Sequence, residues 1–111
     1  MLLIRPDQMQ AFQCAQRRAY AREVAALLRA RYPDACDAAG HALEERTAAA
    51  LDRAAAYGFA TATELETYAA LALLAGARLG RRQDVQRLLE MPDVDGWRRL
   101  RMAAQRLEVD L

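Results

Sequence analysis

His41 is the sole histidine of the chain, and a metal-binding or catalytic role would need Cys, Asp or Glu partners at coordinating spacing. Glu44 and Glu45 follow three and four residues later, which places a carboxylate beside the ring on a helix surface rather than across a cleft. A Cys36–His41 thiolate pair would require the chain to double back at Gly40. The carboxylate pairs Glu44/Glu45, Glu64/Glu66 and Asp93/Asp95 occupy adjacent or alternate positions. General acid–base work needs two carboxyl groups facing one substrate from unlike environments, and this spacing points them apart. At helix starts, capping and dipole compensation account for them. The chain contains no serine and no lysine, which excludes a serine nucleophile, a Schiff base and a Walker-A loop. Gly76-Ala77-Arg78-Leu79-Gly80 has only G-x-x-x-G spacing. These residues point away from an enzyme, and no cofactor or metal is expected.

Arginine is the more informative residue type. All 16 basic residues are arginine, concentrated at Arg17/Arg18/Arg22, Arg78/Arg81/Arg82/Arg87 and Arg98/Arg99/Arg101/Arg106. The guanidinium is a planar five-donor fork suited to carboxylates and phosphates. Some of these arginines have intramolecular partners within reach, such as Glu23, Asp84 and Glu90. The rest could form a solvated face or contact another protein. A formal net charge of +1 argues against wholesale phosphate neutralisation. A helix-turn-helix reader would also need a basic recognition helix after a tight turn. The helix that follows Tyr57-Gly58-Phe59 instead carries Glu64, Glu66 and an apolar body. Candidate partner-binding residues are therefore Arg18, Arg22 and Arg29 on the first helix, or Arg98 and Arg101 near the C-terminal end. A core position is the default for Trp97, as for Tyr57, Phe59 and Tyr68; it is also a candidate anchor beside the second set, because Trp and Arg are enriched at interface hot spots.

Helical periodicity positions these residues throughout. The spacing predicts helices at about 6–31, 34–57 with a break near Gly40, 61–79, 81–90 and 95–108. On the first helix Met9, Phe12, Tyr20, Val24 and Leu27 share one face and the arginines the other. Asp34 is expected to cap the second region, whose inner stripe is Leu43, Thr47, Ala50, Leu51 and Ala54. Gly58 falls where a left-handed residue ends a helix. Thr61 and Glu64 have capping-box spacing and open a helix with Leu65, Tyr68, Leu71, Ala72 and Ala75 inward. That helix is apolar around most of its circumference and should be central. Val85, Leu88 and Leu89 face inward from the fourth helix, and Trp97, Leu100, Ala104 and Leu107 share one side of the last, which Asp93 or Asp95 should cap. With 26 alanines and 6% aromatic residues, the core should be thin and the helices closely approached. The fold class is all-α, a single compact domain of four to five helices. Cys14 and Cys36 are either two separate thiols or one bridge clamping the first two helices. Met1–Arg5 lacks the basic and apolar regions of a signal peptide, and no run approaches the ~20 apolar residues of a membrane span. A cytoplasmic, non-membrane protein is expected.

The stretch Ala56-Tyr57-Gly58-Phe59-Ala60-Thr61-Ala62-Thr63-Glu64, followed by Tyr68 and the apolar run to Gly76, resembles a group of small helical bacterial proteins. These are encoded beside type VI secretion spike and effector genes. Tyr32-Pro33 followed by Cys36 matches their hydrophobic-Pro-x-x-Cys turn, and Asp7-Gln8-Met9 matches the start of their long first helix. The likeness covers roughly residues 1–80. It departs at Ala77–Arg81, where the group commonly continues with an Asp/Pro-containing loop. No catalytic residue transfers. The resemblance implies an adaptor- or chaperone-like accessory protein that holds an effector or spike component. An immunity protein that blocks a cognate toxin is an alternative, and a small DNA-binding regulator is a third reading from another class. Self-association remains open.

Overall fold

Proline and glycine divide an alanine-rich chain into short helices. The structure is a computed structural model that describes the backbone of residues 6–111 and the side chains of residues 16–111. Helix α1 (Pro6–Arg31) is followed by α2 (Pro33–Ala39), a 3-10 turn (Gly40–Ala42), α3 (Leu43–Ala56), α4 (Ala62–Ala75), α5 (Ala77–Arg81), α6 (Gln83–Leu89) and α7 (Gly96–Arg106). No strand occurs among the described residues, and the chain forms a single all-α domain.

The helix count exceeds the expected four to five because two regions are each cut at a glycine. Gly40 has φ 61° and ψ −134°, and Gly76 has φ 58° and ψ −134°. This conformation is essentially confined to glycine. Each glycine donates its N–H to the carbonyl four residues back, Cys36 or Ala72, and so closes one helix while turning the chain away from it. The third predicted helix therefore ends at Ala75 rather than at 79, and Ala77–Arg81 is a separate turn and a half. Arg82 is extended between α5 and α6. Tyr32, not Asp34, occupies the N-cap of α2; Pro33 takes the first helical position, where its missing N–H costs nothing, and Asp34 sits in the first turn.

The α3–α4 corner forms as its residues dictate. Phe59 N–H donates to Ala54 O at 3.1 Å and Gly58 N–H to Ala55 O at 3.0 Å, the paired bonds of a Schellman motif. Thr61 then opens α4 with a complete capping box: its hydroxyl accepts from Glu64 N–H, and Glu64 Oε1 accepts from Thr61 N–H.

Helix α4 is the hub, packed against α1, α2, α3, α5 and α7. Its buried residues include Tyr68, Ala69, Ala70, Leu71 and Ala75. Tyr57, Phe59 and Tyr68 form a tilted aromatic cluster with centroids 5.9–6.3 Å apart. Each buried alanine methyl contributes only about 0.8 kcal/mol, so the large side chains, at about 1.5–3 kcal/mol each, carry the core. They are Tyr68, Leu43, Leu71, Leu89, Leu100, Val24 and Val85.

The inner face of α1 differs from the expected one. Ala21, Val24, Ala25 and Leu28 are buried, whereas Leu27 is 51% exposed. Small residues let helices approach most closely, so the seam follows Ala21 and Ala25 and turns Leu27 outward. Met9 and Phe12, and the considered Cys14–Cys36 bridge, lie outside the described side chains. Cys36 itself is buried, and that burial pushes its thiol above the ordinary value.

Candidate interaction surface

The orientation of α7 decides which of its residues reach solvent. Gly96, the first residue of α7, is buried. A Cβ added there would lie 1.9 Å from Glu64 Oε2 and 3.2 Å from the Phe59 ring. The first turns of α4 and α7 are thus in contact through one carboxylate. Its Oε1 accepts from Ala60 and Thr61 N–H, both at 3.2 Å, while Oε2 faces the positive end of α7. Thr61 and Ala60 hold the Glu64 carboxyl below its ordinary value. Asp95 occupies the N-cap of α7 but makes no side-chain cap bond.

One turn further on, Arg99 is 8% exposed. Its Nη1 donates to Tyr57 O, the C-cap carbonyl of α3, at 3.2 Å, and to Leu89 O, the last carbonyl of α6. Residues two apart on a helix point about 200° away from one another. Burying Arg99 therefore directs Trp97 outward, and Trp97 is 43% exposed. The expected core position of Trp97, on one side of the helix with Leu100, Ala104 and Leu107, is thus corrected to the surface.

Trp97 stands over a furrow between α1 and α7 whose floor is α4. One half, of about 210 Å³, is lined by Leu27, Leu28, Arg31, Tyr32, Glu66 and Ala70 among others. The other half, of about 380 Å³, is lined by Arg101, Ala104, Gln105 and Asp110. Thr67, Trp97 and Leu111 line both, so the two halves are continuous. Three of the exposed large apolar side chains of the molecule, Leu27, Trp97 and Leu111, meet here. Arg31 stacks near Tyr32, with its guanidinium carbon 5.7 Å from the ring centroid.

The candidate residues separate. Trp97 and Arg101 share the furrow, and Arg98 is exposed on the neighbouring face of α7. Arg18 lines a different cleft, with Tyr20, Leu51 and Asp52. Arg22 lies 4.0 Å from Glu44, both side chains well exposed, and Arg29 is exposed near Cys36. Arg18, Arg22 and Arg29 thus form no common patch with Trp97. The α1 side chains that line the furrow with it are Val24, Leu27, Leu28 and Arg31, and of these Arg31 was not among the expected contact residues. Among the described residues, no group of three or more His, Cys, Asp or Glu side chains could hold a metal ion, and His41 is exposed in the 3-10 turn. No helix among them is long and apolar enough to cross a membrane.

No protein-family model matches the chain, and no curated protein or solved structure is significantly similar to it. The geometry of the furrow is the structural ground for a functional reading.

Proposed function

We propose that this chain is a non-enzymatic protein-interaction module, an adaptor- or chaperone-like accessory protein that holds a type VI secretion effector or spike component in the cytoplasm. The observation that carries the reading is the convergence of Leu27, Trp97 and Leu111 on one furrow edged by Arg31 and Arg101. An apolar anchor surrounded by polar and arginine side chains is the usual composition of an interface hot spot. The resemblance supports the same assignment. Three of the residues that carry it, Tyr57, Phe59 and Glu64, contact the first turn of α7, from which Trp97 points outward.

Co-expression of the full chain with the products of its neighbouring genes tests this. A stable complex with an effector's loading domain or a spike component is expected. Trp97→Ala and Leu27→Asp should each weaken it at least about tenfold, the ~1.4 kcal/mol that one lost anchor readily exceeds, with helicity and Tm unchanged. Complex formation with a toxic domain, together with protection from it, would instead make the chain an immunity protein. No complex with any neighbouring product would overturn both. Salt-dependent binding to duplex DNA would favour a regulator.

A further inference from the structure

A second groove runs between α3 and α4 on a different face of α4 from the Trp97 furrow. It encloses about 260 Å³. Its walls are apolar, formed by Leu43, Ala49, Ala50, Ala69, Ala72 and Leu73, and its charged members are Arg46 and Arg53 alone. The furrow, by contrast, mixes arginine with Glu66 and Asp110.

Among the described residues, neither arginine has a built-in counter-charge. The positions three and four residues from Arg46 are Ala42, Leu43, Ala49 and Ala50; those around Arg53 are Ala49, Ala50, Ala56 and Tyr57. Neither therefore has a carboxylate at the spacing that forms ion pairs on a helix. Among the described residues neither makes an ion pair with any other element. Glu90 shares a neighbouring cleft with Arg53 without reaching ion-pair distance.

Arg46 and Arg53 are seven residues apart, which puts them on one edge of α3 about 10.5 Å from each other. A helix laid along the groove repeats the same spacing every seven residues. Alanine walls let its backbone approach to the short end of the 8–10 Å range for packed helices. We propose that the α3–α4 groove docks an amphipathic helix of a protein partner, with carboxylates seven residues apart on that helix pairing with Arg46 and Arg53. A phosphate backbone fits less well, since it would set a row of charges against alanine methyls with two donors to meet them. The groove is separate from the Trp97 furrow, and the inference stands whichever partner that furrow takes.

The test uses the full chain and synthetic Ala/Leu amphipathic helices of about four turns, long enough to hold helicity when stapled. They carry Glu, Gln or Lys at two positions seven apart, bordering the leucine face. The expected order of affinity is Glu, then Gln, then Lys, with at least about tenfold between the extremes. The double variant Arg46→Glu/Arg53→Glu should reverse the order, and Arg46→Gln/Arg53→Gln should flatten it. Amide shifts on binding should centre on Ala49, Ala50, Ala72 and Leu73. Equal affinities for the three helices, no binding at millimolar concentration, shifts centred on Trp97, or tighter binding of a DNA duplex through the same arginines would each overturn the proposal.

Discussion

The guanidinium carbon of Arg99 lies 4.7 Å from the centroid of the Phe59 ring, and the same group donates to the terminal carbonyls of α3 and α6. No carboxylate lies within 4.0 Å of it among the described residues. A buried cation without an ion-pair partner is costly unless other groups stabilise it. Here the ring face supplies negative potential, and two helix C-termini supply carbonyls at the negative ends of their dipoles. One side chain thereby joins α3, α6 and α7 at the corner where α4 begins.

Arg99→Ala should therefore destabilise the protein by about 2–3 kcal/mol, since it leaves Tyr57 O and Leu89 O without their donor and opens space beside Phe59. Arg99→Lys should recover only part of this, because a point-charge ammonium cannot stack on the ring and span two carbonyls as the planar fork does. Urea unfolding followed by far-UV circular dichroism measures both. Equal stability of Arg99→Ala and wild type would show that the carbonyls are satisfied without it.

The local signals were the legible ones. Gly58 at a helix end, Thr61 with Glu64 at a helix start, and Tyr32-Pro33 between helices act over four or five residues, so sequence spacing suffices to read them. The role of Arg99 was hidden because it depends on Tyr57, 42 residues away. Within Arg98-Arg99-Arg101 nothing local marks which arginine turns inward. Leu27 was misplaced for a related reason: a leucine outscores an alanine on any hydrophobic pattern, yet close packing selected the face of Ala21 and Ala25. The furrow combines both effects. Trp97 and Arg101 were recognised singly, while their partners Leu27, Arg31 and Leu111 come from distant parts of the chain.

Gly96 gives a second expectation. An alanine there must push the Glu64 carboxylate out of its place, because the new Cβ would overlap Oε2. Gly96→Ala should cost about 1–2 kcal/mol, roughly the worth of a lost helix cap, despite the better helix propensity of alanine. Glu64→Ala removes both the cap and the obstruction. In the double variant the two costs should add to less than their sum by at least about 0.5 kcal/mol. Strict additivity would show that Glu64 accommodates the methyl by moving freely.

Acid should weaken the fold in two stages. The N–H donors of Thr61 and Ala60 depress the Glu64 carboxyl, and hydrogen bonding to Arg82 takes exposed Asp84 down to about 2. A carboxyl depressed in the folded state binds fewer protons than in the unfolded chain. Its stabilising effect is therefore complete above the ordinary carboxylate range and is lost as pH falls through the folded value. The urea midpoint should decline below about pH 5, and decline further towards pH 2 as Asp84 protonates. Glu64→Gln retains a capping-box acceptor but cannot titrate, so it should flatten the upper part of the decline; Asp84→Asn should flatten the lower part. A Glu64→Gln profile parallel to wild type would remove Glu64 as a source.

The end of α7 offers a change that should stabilise. Val109 N–H donates to Ala104 O at 2.9 Å and Glu108 N–H to Gln105 O at 3.2 Å, the same paired bonds that close α3 at Gly58. At the second site the left-handed residue is Glu108, with φ 55°, where a side chain costs roughly 1 kcal/mol or more. Glu108→Gly relieves that cost, while the greater freedom of glycine in the unfolded chain returns part of it. A net gain of about 0.5 kcal/mol is expected, a rise in Tm of a few degrees for a domain of this size. Gly58→Ala should move Tm the opposite way, because it imposes on α3 the strain that α7 already carries. The consequence extends to the furrow: Val109 packs against the core and leads directly to Leu111, so a tighter turn at 108 should hold Leu111 more firmly beside Trp97. If Glu108→Gly lowered Tm, the side chain of Glu108 would have to supply a stabilising interaction larger than the backbone strain it causes.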